Sequence, residues 1–298
     1  MKVVIAFDDS DCSVIALKSL VGMNWSAGDE IKVLTVVDPF CENADEKRDT
    51  EAAEKLIAET IEKINTQHAD VCVSGEVLLG TAAERVLDTC REWNADLLVL
   101  GANRGSASSK LMLGKNAGTL MANAPCSVMV AKDNDLSSGA DFRNVLIPVS
   151  PKDCSEQTIQ GVLDSKWPED VSFHVVTVIE KVDMAEVLDT TDLELVERQA
   201  SEHVELRAES EAYVEAFANR LNEKFGEARA SFEVLEGNVR DEVLRLSNEL
   251  PAGLIVLGTQ GKNFFEKVLL GSMSQAIASQ SPCSVEVVKP CNSEDEAA

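Results

Sequence analysis

The chain has 298 residues, enough for two domains of about 150 residues that each bury a core. Hydrophobic residues make up 45% of the chain and aromatic residues 4%, which is typical of a globular protein and excludes disordered and collagen-like classes. Acidic residues outnumber basic ones 52 to 27, and the formal charge of -25 disfavours nucleic acid and anionic membranes as partners.

The amino terminus and the cysteines bear on the compartment. The first residues contain too few apolar side chains for a signal peptide, and no apolar run approaches the length of a membrane span. The eight cysteines are scattered singly, without CxxC pairs and without clustering near the three histidines. They indicate neither a disulfide framework nor a zinc site. We therefore expect a cytoplasmic protein with reduced cysteines and no metal held by protein ligands.

Five apolar runs alternate with helical patterns in the first half of the chain, and they cover Lys2–Phe7, Ile31–Val37, Val71–Leu78, Asp96–Gly101 and Cys126–Ala131. Between the second and third runs, a helical stripe extends from about Thr50 to Asn65 and contains Ala53, Ile57, Ile61 and Ile64. Alternation of strands with helices predicts a parallel, doubly wound sheet.

The second half of the chain repeats the first. The triplet that begins at Asp11 recurs at Asp153, an offset of 153 - 11 = 142 residues. Farther on, Gly80 recurs at Gly237 and the run that ends in Gly101 recurs as the run that ends in Gly258, both at an offset of 258 - 101 = 157. The second copy therefore carries a net insertion of 157 - 142 = 15 residues before Gly237.

The insertion lengthens one helix of the second copy, from Asp192 to about Lys224. Its apolar residues recur at spacings of three and four: Leu193, Val196, Ala200, Val204, Val214, Phe217 and Leu221. We expect this stripe, like the shorter one in the first copy, to cover a face of the sheet.

The repeat also predicts the domain boundaries. Residues 1–132 form the first domain, residues 133–142 a polar linker, residues 143–290 the second domain and residues 291–298 a polar tail. The predicted fold is α/β, with two tandem, doubly wound, five-stranded parallel-sheet domains of the Rossmann-like type.

An open parallel sheet binds ligands beyond the carboxyl ends of its strands, where the strand order reverses. Three loops meet there in each copy. The first begins at Asp8 or Ser150, the second follows the second strand, and the third begins at Gly101 or Gly258.

The third loop of the second copy is rich in glycine. Gly258 and Gly261 are followed by nine residues, from Lys262 to Leu270, and then by Gly271, Ser272 and Ser274. Glycine lets backbone amides approach phosphate oxygens, and a helix that begins near Ser272 would direct free amides and its positive end at them. The hydroxyls of Ser272 and Ser274 would add donors. The alternative is that these glycines serve only as strand and helix termini, but four features at fixed spacing favour a phosphate cradle.

With these residues, the chain resembles the universal stress protein family, specifically its tandem two-domain members, along nearly its whole length. The pattern at Gly258, Gly261, Gly271 and Ser272 is similar to the ATP-binding signature of that family. Three further segments support the resemblance: Phe7-Asp8-Asp9-Ser10, Thr35-Val36-Val37 and Ala124-Pro125-Cys126-Ser127-Val128. The resemblance implies an adenine-nucleotide alpha-hydrolase-like fold. It also implies that the first-strand Asp and a second-strand Val hold the nucleoside, while glycines and Ser/Thr hold the phosphates.

The first copy departs from the family pattern at the positions that would contact the phosphates. It keeps Asp8, Val36, Gly101 and Gly114, but Arg104 replaces the second glycine and Lys115 the Ser/Thr. An arginine would project into the space that the phosphates need, so we expect no binding here, rather than modified binding in which the two charges replace the lost amides. Asp8 is then a solvated cap on the following helix.

The second copy keeps the residues of the phosphate cradle and departs from the family pattern at a position that would contact the nucleoside. Its candidate site residues are Ser150, Val178, Gly258, Gly261, Gly271, Ser272 and Ser274. Ser150 replaces the aspartate with a shorter, uncharged hydrogen-bonding group, which would weaken binding by roughly 1 kcal/mol or more. We expect one nucleotide per chain, lost in Gly271→Arg and little changed in Gly101→Ala.

The resemblance implies a cytoplasmic stress-response protein that binds ATP, with Mg bridging the phosphates, in its second domain. The sequence offers no positioned general base or nucleophile pair, so no catalytic residue is assigned and ATP acts as a regulatory or sensing ligand with little or no hydrolysis. Two alternatives are a nucleotide-free tandem scaffold for protein partners and an ATP-dependent enzyme.

The last strand of each copy, Cys126–Ala131 and Cys283–Val288, resembles the edge through which domains of the family pair. An exposed aliphatic edge is a template for strand pairing. We therefore expect the two domains to pack as a pseudo-dimer, and a homodimer of chains is a further expectation.

Overall fold

The structure is a computed structural model that describes residues 1–40, 45–102, 115–132, 142–151, 155–181, 193–259 and 271–289. The first copy contains β1 (Lys2–Ala6), α1 (Asp11–Val21), β2 (Glu30–Val37), α2 (Glu46–Gln67), β3 (Cys72–Leu79), α3 (Ala82–Glu92), β4 (Leu97–Ala102), α4 (Lys115–Asn123) and β5 (Ser127–Lys132). The second contains β6 (Asn144–Pro148), α5 (Ser155–Asp164), β7 (Ser172–Ile179), α6 (Leu193–Phe225), β8 (Ala230–Glu236), α7 (Val239–Glu249), β9 (Leu254–Gly258), α8 (Ser272–Gln280) and β10 (Ser284–Val288).

These strands form one sheet in the order β3-β2-β1-β4-β5-β10-β9-β6-β7-β8. Within each copy the neighbouring strands are parallel, and β5 and β10 are antiparallel to each other. The predicted α/β fold is confirmed. Each predicted strand of the first copy matches the observed one to within one residue. The inner strands β1, β4 and β5 are apolar runs that are buried on both faces, whereas the edge strand β3 is largely exposed.

Helices cover both faces of the sheet. One face packs against α1, α2, α5 and α6, through Leu17, Ile57, Ile159 and Phe217 among others. The other packs against α3, α4, α7 and α8, through Val86, Met121, Val243 and Ile277 among others. Of the predicted linker and tail, only Phe142 lies within the described residues, and its side chain is buried in the first of these cores.

The stripe predicted along α6 packs only in part. Val214, Phe217 and Leu221 are buried, but Val204 is 66% exposed and Ala200 is exposed. The reason is length, because the 33 residues of α6 extend about 50 Å whereas the seven residues of β8 extend only about 23 Å. The expectation that the whole stripe covers the sheet was therefore wrong for its amino-terminal half. None of the described helices combines the length and the apolarity that crossing a bilayer requires.

The two copies meet where β5 pairs with β10. Val128 lies opposite Val287, Met129 opposite Glu286, and Val130 opposite Val285. This pairing confirms the predicted pseudo-dimer within the chain. It also places both apolar edges in the interior of the sheet, so they are not available for pairing with a second chain.

Two buried lysines extend this junction symmetrically. The Lys132 amide donates to Ser284 Oγ and the Lys289 amide to Ser127 Oγ, each at 3.1 Å. The ammonium groups reach across as well, from Lys132 Nζ to the Ser281 carbonyl oxygen at 2.8 Å and from Lys289 Nζ to the Ala124 carbonyl oxygen at 2.7 Å. The donors and the acceptors are related by the same repeat offset of 289 - 132 = 157 residues.

A third contact between the copies has no symmetric counterpart. The buried Asp29 carboxylate accepts hydrogen bonds from the Met1 ammonium at 2.9 Å, from Lys166 Nζ at 2.7 Å and from the Ser26 amide at 2.8 Å. Burial alone would raise the pKa of Asp29, but these donors outweigh it and hold the pKa below its ordinary value of 3.8. Lys166 belongs to the second copy, so this ion pair ties the two copies together.

We expect Asp29→Asn to lower the free energy of unfolding by about 2 to 4 kcal/mol at neutral pH, because it leaves two cations without their shared anion. A lowered carboxyl pKa stabilises the fold above the ordinary value and ceases to do so as the pH falls through the folded-state value. The difference between wild type and variant should therefore be constant from pH 7 to about pH 5 and shrink below pH 3.8. Urea denaturation over this pH range measures it.

Asp88→Asn is the matched control. Asp88 pairs with Arg91 at 2.9 Å, but both side chains are about half exposed, so its loss should cost no more than about 0.5 kcal/mol. An equally small loss in Asp29→Asn would contradict a stabilising tie between the copies.

Candidate functional site

The second copy contains a pocket at the carboxyl ends of its strands. Its strand order is β10-β9-β6-β7-β8, and β6 and β9 are neighbours whose connections leave in opposite directions. This is the switch point at which open α/β sheets bind ligands. The pocket has a volume of about 130 Å³ and is open to solvent.

Four of the sequence-predicted residues line this pocket: Ser150, Val178, Gly258 and Ser274. Ser150 follows β6, Val178 lies near the end of β7, and Gly258 ends β9. The structure therefore brings together residues from three strands and one helix that are up to 124 positions apart (274 - 150). Gly261 lies outside the described residues.

The other lining residues are mostly apolar, and sequence reasoning did not single them out. They are Pro148, Val149, Thr158, Val176, Val239, Leu257, Thr259, Met273 and Ile277. In the sequence these residues have the spacing of ordinary core positions, so only the juxtaposition of strand ends identifies them. They give the pocket an apolar wall of the kind that holds a flat ring.

The helix α8 begins at Ser272, where the sequence predicted it, and its first turn borders the pocket. Gly271 is the N-cap residue, with φ of -61° and ψ of 147°, and among the described residues no side-chain hydrogen bond caps this end. The first amides of an α-helix have no partner within the helix. An uncapped helix start beside a pocket is a place where an anion can take up those amides.

Ser274 lines the pocket, and its hydroxyl already has a partner within the protein. Its side chain is buried, and its hydroxyl donates to the Gly258 carbonyl oxygen at 3.2 Å. This hydrogen bond joins the end of β9 to the first turn of α8. Ser272, by contrast, is exposed at the first position of the helix.

Gly258 has a packing role of its own. A Cβ at this position would overlap the hydroxyl oxygen of Thr158, on α5. The absence of a side chain therefore lets α5 approach the end of β9, whether or not a phosphate binds nearby.

The first-copy candidates occupy the corresponding places. Asp8 follows β1, and its carboxylate accepts hydrogen bonds from the Ser10 hydroxyl at 2.6 Å and the Ser10 amide at 3.1 Å. Burial raises the pKa of Asp8, but hydrogen bonds from Ser10 and Ser13 outweigh it and the pKa lies below its ordinary value. The N-cap of α1 is Ser10, which accepts from the Ser13 amide. Asp8 therefore supports the cap and is not itself the cap.

The turn that holds Asp8 cannot recur in the second copy. Asp9 has a φ of 59°, and at the repeat offset of 142 its counterpart is Pro151, since 151 - 9 = 142. The proline ring fixes φ near -65°. Ser150 therefore differs from Asp8 in its backbone path as well as in its side chain.

Gly101 and Val36 lie at the ends of β4 and β2, and Val36 is partly buried against the second core. A Cβ at Gly101 would overlap the carbonyl oxygen of Cys12, which is backbone of α1 and cannot swing aside. Gly101→Ala would therefore strain the first copy, an effect on stability that the expectation about nucleotide binding did not address. Gly114 and Arg104 lie outside the described residues, as does the Lys115 side chain.

The described cysteines and histidines form a separate group of candidates. Cys126 and Cys283 are buried, as predicted. A hydrogen bond between the Cys90 and Cys126 thiols, together with burial, raises the pKa of Cys90 and so disfavours a thiolate there. In the part of the chain that the structure describes, no three His, Cys, Asp or Glu side chains lie close enough together to hold a metal ion.

Fold and pocket together define a tandem α/β protein with a pocket at the switch point of its second copy. The sequence matches the model of the universal stress protein family over residues 1–132 and again over residues 141–289. The chain belongs to the universal stress protein family, as its motifs predicted.

Individual relatives agree with this assignment. A universal stress protein from Mycolicibacterium smegmatis is 23% identical over 284 residues, covering 95% of this chain and 88% of that one. One from Methanocaldococcus jannaschii is 24% identical over 148 residues, covering 50% of this chain and 82% of that one.

Solved structures share the fold. The crystal structure of a universal stress protein from Archaeoglobus fulgidus superposes with a TM-score of 0.71 and 18% identity, covering 97% of this chain and 98% of that one. A functionally unknown protein from Pseudomonas aeruginosa superposes with a TM-score of 0.60 and 12% identity, covering 97% of this chain and 92% of that one. Both similarities extend across the two copies.

We expect Gly101→Ala to lower the free energy of unfolding by more than about 2 kcal/mol, because α1 must move away from β4. Gly118→Ala is the matched control, since a Cβ at Gly118, inside α4, meets open space. That change should be neutral or stabilise by up to about 1 kcal/mol, because alanine favours helix. Similar unfolding curves for the two variants would show that Gly101 has no packing role.

Proposed function

We propose that the second domain binds ATP, with Mg, as a regulatory or sensing ligand of a stress-response protein. The observation that carries this proposal is the apolar pocket at the β6–β9 switch point, bordered by the uncapped start of α8. A purine ring needs apolar surroundings and phosphates need hydrogen-bond donors. In the second domain an apolar pocket and a helix amino terminus lie next to each other.

The nucleoside end of the proposed site is at the strand ends. Ser150 offers a short hydrogen-bonding group, and Val178 and Val176 offer aliphatic surface to a purine ring. A neutral serine in place of a carboxylate contributes less to holding a ribose hydroxyl, because hydrogen bonds to charged groups are the stronger ones. We therefore expect modest affinity.

The phosphate end of the proposed site is at α8. The amides of Ser272 and its neighbours would take the terminal phosphates, with the exposed Ser272 hydroxyl as a further donor. Gly261 is assigned to the same cradle. Mg would bridge phosphate oxygens and water and need no protein cage, which is its usual manner with nucleotides.

Little or no hydrolysis is expected at this site. The thirteen lining residues of the described pocket include no Asp, Glu, His, Lys, Arg or Cys. A general base must lie within hydrogen-bonding reach of the attacking water, and none of these residues can act as one. Bound ATP would then change the conformation or the partner choice of a cytoplasmic protein and would not be consumed.

A nucleotide-free scaffold is the second candidate function. It is favoured by the Ser274 hydroxyl, which donates to Gly258, and by Thr158, which fills the space beside Gly258. In that case the motif is retained for packing alone. Titration of the whole chain with Mg-ATP separates the two proposals.

We expect isothermal titration with Mg-ATP to give one site per chain, and Gly271→Asp to weaken it at least tenfold, about 1.4 kcal/mol. An aspartate at the N-cap position accepts from the helix amides and repels the phosphates. The same change should raise the free energy of unfolding by about 0.5 kcal/mol, since aspartate caps a helix better than glycine does. Binding and stability should thus move in opposite directions.

Gly271→Asn is the matched control, because asparagine caps equally well without the charge. It should keep more of the affinity than Gly271→Asp does. If the folded wild type takes up no nucleotide at millimolar Mg-ATP, or if Gly271→Asp binds as tightly as wild type, the scaffold replaces the proposed function.

A second pair of variants separates packing from binding at Gly258. Gly258→Ala should destabilise the domain by forcing Thr158 aside, and the added change Thr158→Ala should recover at least about half of the lost stability. If the restored double variant still binds Mg-ATP, Gly258 serves packing alone. If it folds but does not bind, the backbone at Gly258 must approach the ligand.

A further inference from the structure

A groove lies between the two copies, on the sheet face that carries α1 and α5. It has a volume of about 580 Å³ and shares no lining residue with the pocket at the β6–β9 switch point. It lies over the first residues of β4 and β9 and reaches the Met1 terminus. The helices α1 and α5 approach it from the two sides but do not close it.

The floor of the groove is the cross-strand pair of Met129, on β5, and Glu286, on β10. The two residues also occupy equivalent positions in the repeat, since 286 - 129 = 157. The pseudo-twofold axis of the chain therefore passes between them. The same position is thus an uncharged thioether in one copy and a carboxylate in the other.

The walls of the groove are apolar side chains from both copies: Met23, Leu97, Phe142, Trp167, Leu254 and Val288. Leu97 and Leu254 are repeat equivalents, so this pair keeps the symmetry that the floor has lost. A carboxylate among such side chains is costly unless it is paired. Glu286 is half-buried and, in the described part of the chain, no hydrogen-bond donor or cation pairs with it.

The cations near the groove are already bound. Lys166 Nζ lies 2.7 Å from Asp29, the Met1 ammonium also binds Asp29, and Lys289 Nζ donates to the Ala124 carbonyl oxygen. The remaining charged lining groups are Asp96 and Asp164, both acidic. The net charge of -25 of the whole chain favours a cation as the ligand.

We propose that this groove binds a small organic cation, an alkyl- or arylammonium, whose apolar body lies between the walls and whose ammonium pairs with Glu286. The proposal is independent of nucleotide binding at the other end of the domain. It assigns to the repeat a site that neither copy could form alone, because the walls come from both.

The titration of Glu286 gives the proposed site a pH dependence. Burial raises the pKa of Glu286 to about 7, so its ionised fraction rises about tenfold between pH 6 and pH 8. An alkylammonium stays protonated over that range, as lysine does. Cation affinity should therefore rise about tenfold over the same range, and binding at pH 7 should release protons.

Hexylammonium is the probe, and hexan-1-ol, which has the same chain and no charge, is its matched control. We expect titration calorimetry at pH 8 to show hexylammonium binding to the full-length protein, at least tenfold more tightly than hexan-1-ol. Glu286→Gln and Glu286→Met, the residue of the equivalent position, should each weaken hexylammonium at least tenfold and leave hexan-1-ol unchanged within about twofold. Urea denaturation confirms that the variants are folded.

Wild type alone also tests the proposal. Calorimetry at pH 7 in two buffers of different ionisation enthalpy should show release of about half a proton for each hexylammonium bound. The proposal is overturned if hexylammonium does not bind, if it binds no better than hexan-1-ol, or if Glu286→Gln binds it equally well. Sedimentation that shows a dimer dissociated by Leu97→Glu would likewise overturn it, because a second copy would then occupy the groove.

Discussion

The antiparallel pairing of β5 with β10 is the constraint on which the rest of the structure depends. It joins two parallel sheets into one and buries four valines, each of which contributes about 1.5 to 3 kcal/mol by leaving water. Because the two copies run in opposite directions, the carboxyl ends of their strands lie at opposite edges of the sheet. The pocket of the second copy and the equivalent strand ends of the first therefore face away from each other, and the groove between α1 and α5 lies between them.

The junction is formed by equivalent strands, one from each copy, and side chains away from its shared contacts can differ between the copies. The backbone pairing and the two buried lysines keep their symmetry because each partner satisfies the other. Side chains outside these reciprocal contacts carry no such requirement. Met129 and Glu286 differ, and Asp29 binds Lys166 across the junction without a counterpart. Differences between the copies are thus concentrated where symmetry does not enforce a contact.

The sequence predicted what depends on order along the chain and missed what depends on close packing. Apolar runs located the strands of the first copy to within one residue, and the resemblance of the two last strands to the pairing edge of the family located the junction. Spacing could not show that Val204 extends beyond the sheet, since its stripe continues without a break. Nor could it show that Cys12 lies against Gly101, or that Ser274 donates to Gly258, because these contacts join segments far apart in sequence.

The glycines of the signature therefore have different structural reasons. At Gly258, as at Gly101, a helix packs so closely on the strand end that a side chain would collide, and this requirement holds with or without a ligand. Gly271 is different, because its backbone angles suit any residue and a capping side chain would stabilise α8. A glycine that forgoes that stabilisation leaves the helix amides open, and open amides are what a phosphate requires.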